Sequence, residues 1–322
     1  MNRYPWYKNR TTEWLRLIET KKVPHAVLIS GSQGLGKIEL AQQFAQMAMC
    51  EDLSASGSCL HCPSCQLIAV GNHTDLISIS AEKEIIKVEQ IRKLSRDVML
   101  SGSRNQYRVV IIEDAEKMNN ASANALLKTL EEPPQQVIIV LTSSELGRLL
   151  PTIKSRCVKI SLAIPDDNLA LSWLKENADV SEDELKFALI LANGIPLIAK
   201  TIINNQSEKC VNEMLEDLTS ILLMQKSPLE ISKKWLTQDY LNCLGYVASF
   251  FLYLIKKEQE NVNMKAMSQV LSTHYKKDRE GFYLKILDFV RSLYLFTKRN
   301  KTALKEELLL DELLINWQQH FK

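Results

Sequence analysis

Short apolar runs and helix-period segments alternate along the first half of the chain. Residues 26–30, Ala-Val-Leu-Ile-Ser, form a continuous apolar run that ends at a glycine-rich turn, the pattern of a strand buried on both faces. Residues 37–49 follow with apolar side chains at Ile38, Leu40, Ala41, Phe44, Ala45 and Ala48, which is helical spacing. Residues 75–80 read as a second strand and residues 88–100 as a helix. Residues 108–113 and 137–142 are further buried strands rich in β-branched side chains, and 158–162 gives a fifth. A helix over 121–132 is stopped by Pro133-Pro134. Strands alternating with helices predict a mostly parallel sheet covered on both faces.

The strand signal ends after Pro165. Residues 166–206 read as short helices, broken at Asn193-Gly194-Ile195-Pro196. From residue 207 the segments are long and helical, with breaks near Ser227-Pro228, Asn261 and Asn300. The pattern predicts an α/β domain over 1–165, a small helical domain over 166–206 and a larger helical domain over 207–322. The longest apolar stretch, 243–255, is too short for a bilayer and contains Ser249, so it reads as a buried helix. The first residues, Met-Asn-Arg-Tyr-Pro-Trp-Tyr, hold no apolar run of signal-peptide type. The expectation is a cytoplasmic protein with no membrane contact.

Composition changes this picture little. The chain has 322 residues, 46% hydrophobic and 24% charged, with net charge +2. Nothing in the bulk charge demands nucleic acid as a direct partner. The seven cysteines change it more. Cys50, Cys59, Cys62 and Cys65 are spaced C-x8-C-x2-C-x2-C, and four thiolates at that spacing can close a tetrahedral shell around a structural zinc ion. The expected zinc module spans 50–65. His61 and His73 lie close enough in sequence to be alternative ligands, although His61, inside a short knuckle, is expected to point away from the metal. Cys157, Cys210 and Cys243 stand apart and read as small core hydrophobes.

The segment Gly31-Ser-Gln-Gly34-Leu-Gly36-Lys37 joins the first strand to its helix as a phosphate cradle does. The hydroxyl residue that normally follows the lysine, and ligates Mg²⁺, is Ile38 here. Two roles remain open: phosphate binding without metal-assisted hydrolysis, or a purely structural turn. Glu113-Asp114 ends the third strand, where paired carboxylates hold Mg²⁺ and orient water; the pair can equally cap the next helix. Lys128 and Glu131 fall on an exposed helix face as an i, i+3 pair. Arg92, Lys93, Arg96, Arg104 and Arg108 form either a solvated face or a contact surface.

The run Asn124-Ala-Leu-Leu-Lys-Thr-Leu-Glu-Glu-Pro-Pro134, with Ser155-Arg156-Cys157 and the cysteine module, resembles the AAA+ clamp-loader subunits of bacterial DNA polymerase III over roughly residues 1–200. The resemblance implies an α/β AAA+ P-loop domain with an inserted zinc module, then a helical lid and an all-α collar. It implies a place in a hetero-oligomer with gamma/tau and delta subunits, which acts on the sliding clamp and primed DNA. It places Ser143 at the sensor position near a γ-phosphate, and Gly31, Gly34, Gly36, Lys37, Glu113 and Asp114 in a degenerate ATP/Mg²⁺ site. It makes Arg156 an arginine finger for a neighbouring subunit's ATP. ATPase members carry a hydroxyl after the lysine, Asp before Glu, and a sensor arginine where Leu197 stands. Their joint loss resembles the stationary, non-hydrolysing branch of a nucleotidyltransferase complex; the alternative is an active gamma/tau-type ATPase.

Overall fold

The computed structural model describes residues 4–100, 107–256, 278–298 and 303–321. The chain divides into two compact units, 1–165 and 166–322. Residues 166–206 and 207–322 fall within the same second unit.

The first unit is built on five parallel strands in the order β2-β3-β4-β1-β5. These are β1 (Ala26–Ser30), β2 (Leu76–Ile79), β3 (Arg108–Ile112), β4 (Val137–Ser143) and β5 (Val158–Ser161). Central strands β1, β3 and β4 are buried along their whole length, as continuous apolar runs require when both faces are covered. Of the edge strands, β2 is partly buried and β5 mostly exposed, and both are shorter than the apolar pattern suggested. Helices α1 (Lys8–Glu19) and α2 (Lys37–Met49) pack together, with Trp14 stacked on Phe44 at 4.3 Å and its indole donating to Phe44 O at 3.0 Å. Between α2 and β2 lies the short α3 (Pro63–Ala69).

Helices α4 (Val88–Leu100) and α5 (Asn120–Glu131) form one core with alternate residues of the strands. That core joins Ile91, Leu94 and Leu126 to Val110, Ile112, Ile139 and Leu141. Strand residues of the other parity, among them Val109, Ile111, Ile138 and Val140, are equally buried and face the other side. Asn119 caps α5 by accepting from Ser122 N–H at 2.8 Å. Helix α6 (Pro151–Arg156) precedes β5.

The second unit is helical throughout its described residues. Asp166 caps α7 (Asp167–Asn177), and a Ser181/Glu184 capping box opens α8 (Glu182–Leu191). Then come α9 (Pro196–Asn204), α10 (Ser207–Leu222), α11 (Pro228–Trp235), α12 (Gln238–Lys256), α13 (Arg279–Lys298) and α14 (Ala303–His320). Trp317 anchors an aromatic cluster with Phe251, Phe289 and Phe321, and its indole donates to Leu218 O at 3.1 Å. The breaks expected near Asn261 and Asn300 lie outside the described residues. No single described helix is long and apolar enough to cross a membrane; α8 and α9 reach that length and apolarity only as a pair, bent by 116°.

Some sequence expectations change. Cys243 is buried as a core residue, but Cys210 is only half-buried, and its thiol donates to Asp239 O at 3.8 Å. Arg108 is no surface residue: it is buried at 4% exposure, with Nε and Nη2 donating to Asp75 Oδ1 at 3.1 and 2.7 Å. An arginine opening a central strand can turn its guanidinium inward only when a carboxylate meets it there. Arg92, Lys93 and Arg96 are exposed on α4, and Arg104 lies outside the described residues.

Candidate nucleotide and metal sites

The carboxyl ends of β1, β3 and β4 converge where parallel α/β sheets hold ligands. The glycine loop leaves β1 there. Gly36 caps α2 in the left-handed region at φ 77°, and a Cβ on it would clash with Tyr7 Oη. Glycine is required on both counts. Tyr7 donates its hydroxyl to Leu35 O at 2.6 Å and also reaches Gly36 O; Trp6 Nε1 donates to Leu35 O at 3.1 Å. Tyr4 stacks on Trp6 at 4.9 Å. The N-terminal aromatics therefore hold the loop from behind. Their sequence, Tyr-Pro-Trp-Tyr, signalled only an aromatic-rich start, not its partner.

Lys37 is 7% exposed. Its ammonium donates to Gly31 O at 3.0 Å, Ser32 O at 3.0 Å and Ser144 Oγ at 2.8 Å. An ammonium has three donors, and this chain supplies an acceptor for each. Burial lowers the Lys37 pKa, while the carboxylates of Asp114, Glu116 and Glu39 oppose that shift. Ser143 ends β4 fully buried, and its Oγ has no hydrogen-bond partner among the described residues. The residue that meets Lys37 is Ser144, one position further on. Glu116 sets it, accepting from Ser144 N–H at 2.8 Å. Sequence reasoning missed Ser144 and Glu116; only the one-residue extension of β4 puts the hydroxyl in reach.

The acidic pair is divided in use. Asp114, in the left-handed region at φ 47°, pairs with Lys117 at 2.8 Å, and its N–H donates to Thr142 Oγ1 at 3.1 Å. It makes no side-chain cap to the turn that follows. Burial and the adjacent Asp114 charge raise the Glu113 pKa, against the pull of Lys117. Ile38 offers no metal ligand beside them. Leu197 lies half-buried in the first turn of α9.

Arg156 ends α6, where a cation suits the helix dipole. Its Nη2 donates to Glu131 Oε1 at 2.6 Å and its Nη1 to Thr152 O at 2.9 Å. Glu131 thus pairs with Arg156 and not with Lys128, the partner that helical spacing suggested. Cys157 beside it is buried, which pushes its thiol up to about 11.

The sulfurs of Cys50, Cys59, Cys62 and Cys65 all lie within 4.8 Å of one another. The cysteine backbone winds around them: Cys59 N–H donates to Cys50 Sγ, Cys62 N–H to Cys59 Sγ and Cys65 N–H to Cys62 Sγ, at 3.3 to 3.4 Å. Donors aimed at sulfur favour thiolate, the form that binds metal. Burial works against ionisation at Cys59, yet N–H donors from Cys62 and His61 bring it down to about 6. Burial raises Cys50 and Cys65. This set fits a tetrahedral metal ion. His73 stays out of it: its Nδ1 accepts from Asp75 N–H at 3.0 Å and its Nε2 faces Ser64 Oγ at 3.3 Å. His61 is exposed and turns toward Asp52 at 3.7 Å; with Asp52 and Cys59 it makes a second donor group.

A glycine loop, an inward lysine at a switch point of a parallel sheet, and carboxylates at the next strand ends define a P-loop-type α/β protein. A sequence profile described as DNA polymerase III, delta subunit, matches residues 7–166. The DNA polymerase III subunit delta' of Pseudomonas aeruginosa is 31% identical over 323 residues, covering 98% of this chain and 97% of that protein. The chain belongs to the DNA polymerase III subunit delta' family. A DNA polymerase III subunit gamma from Buchnera aphidicola subsp. Schizaphis graminum is 31% identical over 226 residues, 68% of this chain and 62% of that one. Among solved structures, a gamma subunit-related protein from Thermotoga maritima aligns with 97% of this chain and 100% of its own, at 18% identity and TM-score 0.48.

Proposed function

We propose that this chain is a non-hydrolysing subunit of the bacterial DNA polymerase III clamp loader. It works in the cytoplasm with gamma/tau and delta subunits to place the sliding clamp on primed DNA. Its first unit carries a P-loop that serves as structure, and its Arg156 completes the ATP site of an adjacent subunit. The collar role of α10 to α14 rests on family likeness.

The observation that carries the passive role is the saturation of Lys37 by Gly31 O, Ser32 O and Ser144 Oγ. An incoming phosphate must displace those acceptors, with no hydroxyl at Ile38 to hold Mg²⁺ in return. The likeness to gamma subunits favours the alternative of an active ATPase, but it does not restore that ligand. Placement of Arg156 at the surface end of α6 supports the trans role, since a finger must leave its own subunit. A finger of this kind is worth about 10³ to 10⁵ in rate at the site it serves.

Cys50, Cys59, Cys62 and Cys65 hold one zinc ion, which folds a segment with little core of its own. The experiment is hydrolysis of ATP by the reconstituted loader, on primed DNA with clamp, carrying wild-type chain or Arg156→Ala, beside the isolated chain. Silence from the isolated chain and a fall on substitution support the reading. Turnover by the isolated chain would make it a motor.

A further inference from the structure

We infer that Glu131 is a holding residue for Arg156. Its carboxylate keeps the guanidinium on its own subunit until the terminal phosphate of a nucleoside triphosphate on an adjacent subunit takes its place. The inference rests on the trans role of Arg156 proposed above.

The geometry is specific. Arg156 is held at two points, by a charged acceptor on the last residue of α5 and by a neutral carbonyl one turn back in α6. Glu131 is placed against the local field. It stands in the last turn of α5, where the helix dipole disfavours a carboxylate. Helical spacing offers it Lys128 as a partner, yet the carboxylate turns across to α6 instead. Its position therefore makes physical sense through Arg156.

The contact is also built to break. The Arg156 and Glu131 side chains are 34% and 50% exposed, so water can replace either partner. An ion pair in such a setting biases its arginine by about two- to fivefold. A terminal phosphate brings more charge and the same forked geometry, so it outcompetes the carboxylate once it is close. Before that, the pair keeps a mobile cation from the neighbour's site. Glu131 thus acts through Arg156 as a positioning residue that lowers idle turnover.

The test uses the complete reconstituted loader with Glu131→Gln, Arg156→Ala and the double variant. Gln keeps the shape and one acceptor oxygen while removing the charge. ATP hydrolysis is read at saturating ATP, with and without clamp and primed DNA. The holding role predicts that Glu131→Gln raises the unstimulated rate about two- to fivefold, narrows the ratio of stimulated to unstimulated rate, and does neither in the Arg156→Ala background. A purely structural ion pair predicts that its loss leaves the unstimulated rate unchanged or lowers it. An unstimulated rate that is equal or lower in Glu131→Gln, while Arg156→Ala still depresses the stimulated rate, overturns the holding role and leaves the finger standing. A stimulated rate untouched by Arg156→Ala overturns the finger itself and this inference with it.

Discussion

Lys37 Nζ donates to Ser144 Oγ at 2.8 Å, tying the helix after the glycine loop to the residue that follows β4. The same ammonium satisfies Gly31 O and Ser32 O, so the loop is closed by the lysine that elsewhere would meet phosphate. Lys37→Met removes all the donors and leaves three part-buried acceptors without their charged partner. The expected cost is about 1–3 kcal/mol in chemical denaturation of the chain. ATP with Mg²⁺ should leave the melting temperature of the wild-type chain unmoved. A shift that disappears in Lys37→Met would show that phosphate displaces the internal contacts.

Arg108 and Asp75 make a buried ion pair at the start of β3, with side chains 5% and 3% exposed. Removing one partner strands the other's charge in the interior. Asp75→Ala should destabilise the first unit by about 3–5 kcal/mol. Replacing both residues by apolar ones of similar size should recover much of that loss, since the pair is costly to bury in the first place. Equal losses in the single and double variants would contradict this.

Cys62 accepts from Cys65 N–H through its sulfur and donates from its own N–H to Cys59 Sγ. Cys62→Ser should cut bound zinc to well below one ion per chain and lower the melting temperature. A chelator should do the same to the wild type, and added zinc should reverse it. Metal analysis of the purified variant decides the point: full occupancy removes Cys62 from the ligand set.

Asp217 is 2% exposed. Burial pushes its carboxyl up, but donors from Lys234 at 2.7 Å, Lys226 at 3.0 Å and Trp235 Nε1 at 3.2 Å outweigh that and hold it below the usual carboxylate range. Because the folded pKa is depressed, its contribution is fully present above the unfolded value of about 3.9 and is lost as pH falls through the folded one. Asp217→Asn should therefore be less stable than wild type at neutral pH. The gap should close in denaturation curves taken progressively below about pH 4. A gap independent of pH would mean that the loss is packing, not charge.

Much of the first unit was legible in the chain. Short apolar runs rich in β-branched residues and bounded by turn signals read as strands buried on both faces, so β1, β3 and β4 and the helix over Lys37–Met49 were legible from period, length and composition. The cysteine spacing suggested the donor set: x2 separations bring Cys59, Cys62 and Cys65 together through local backbone, while Cys50, with eight residues intervening, is brought in by the fold. The loop, too, was readable, since its glycines and lysine act through local geometry. Edge strands were less legible, because half-buried positions carry a weaker pattern.

What the tertiary structure decided is which charged and polar groups meet. The sequence determined the strands, the metal-fit cysteines and the absence of a hydroxyl at position 38. It left Arg108 among surface cations, paired Glu131 with Lys128, and gave no sign of Ser144. The fold decided each of these: Arg108 meets Asp75, Glu131 meets Arg156, and Lys37 meets Ser144. Local periodicity is fixed by neighbours within a turn or two. A salt bridge between residues 25 apart, or a hydrogen bond between residues 107 apart, depends on how strands and helices stack, which no local pattern encodes.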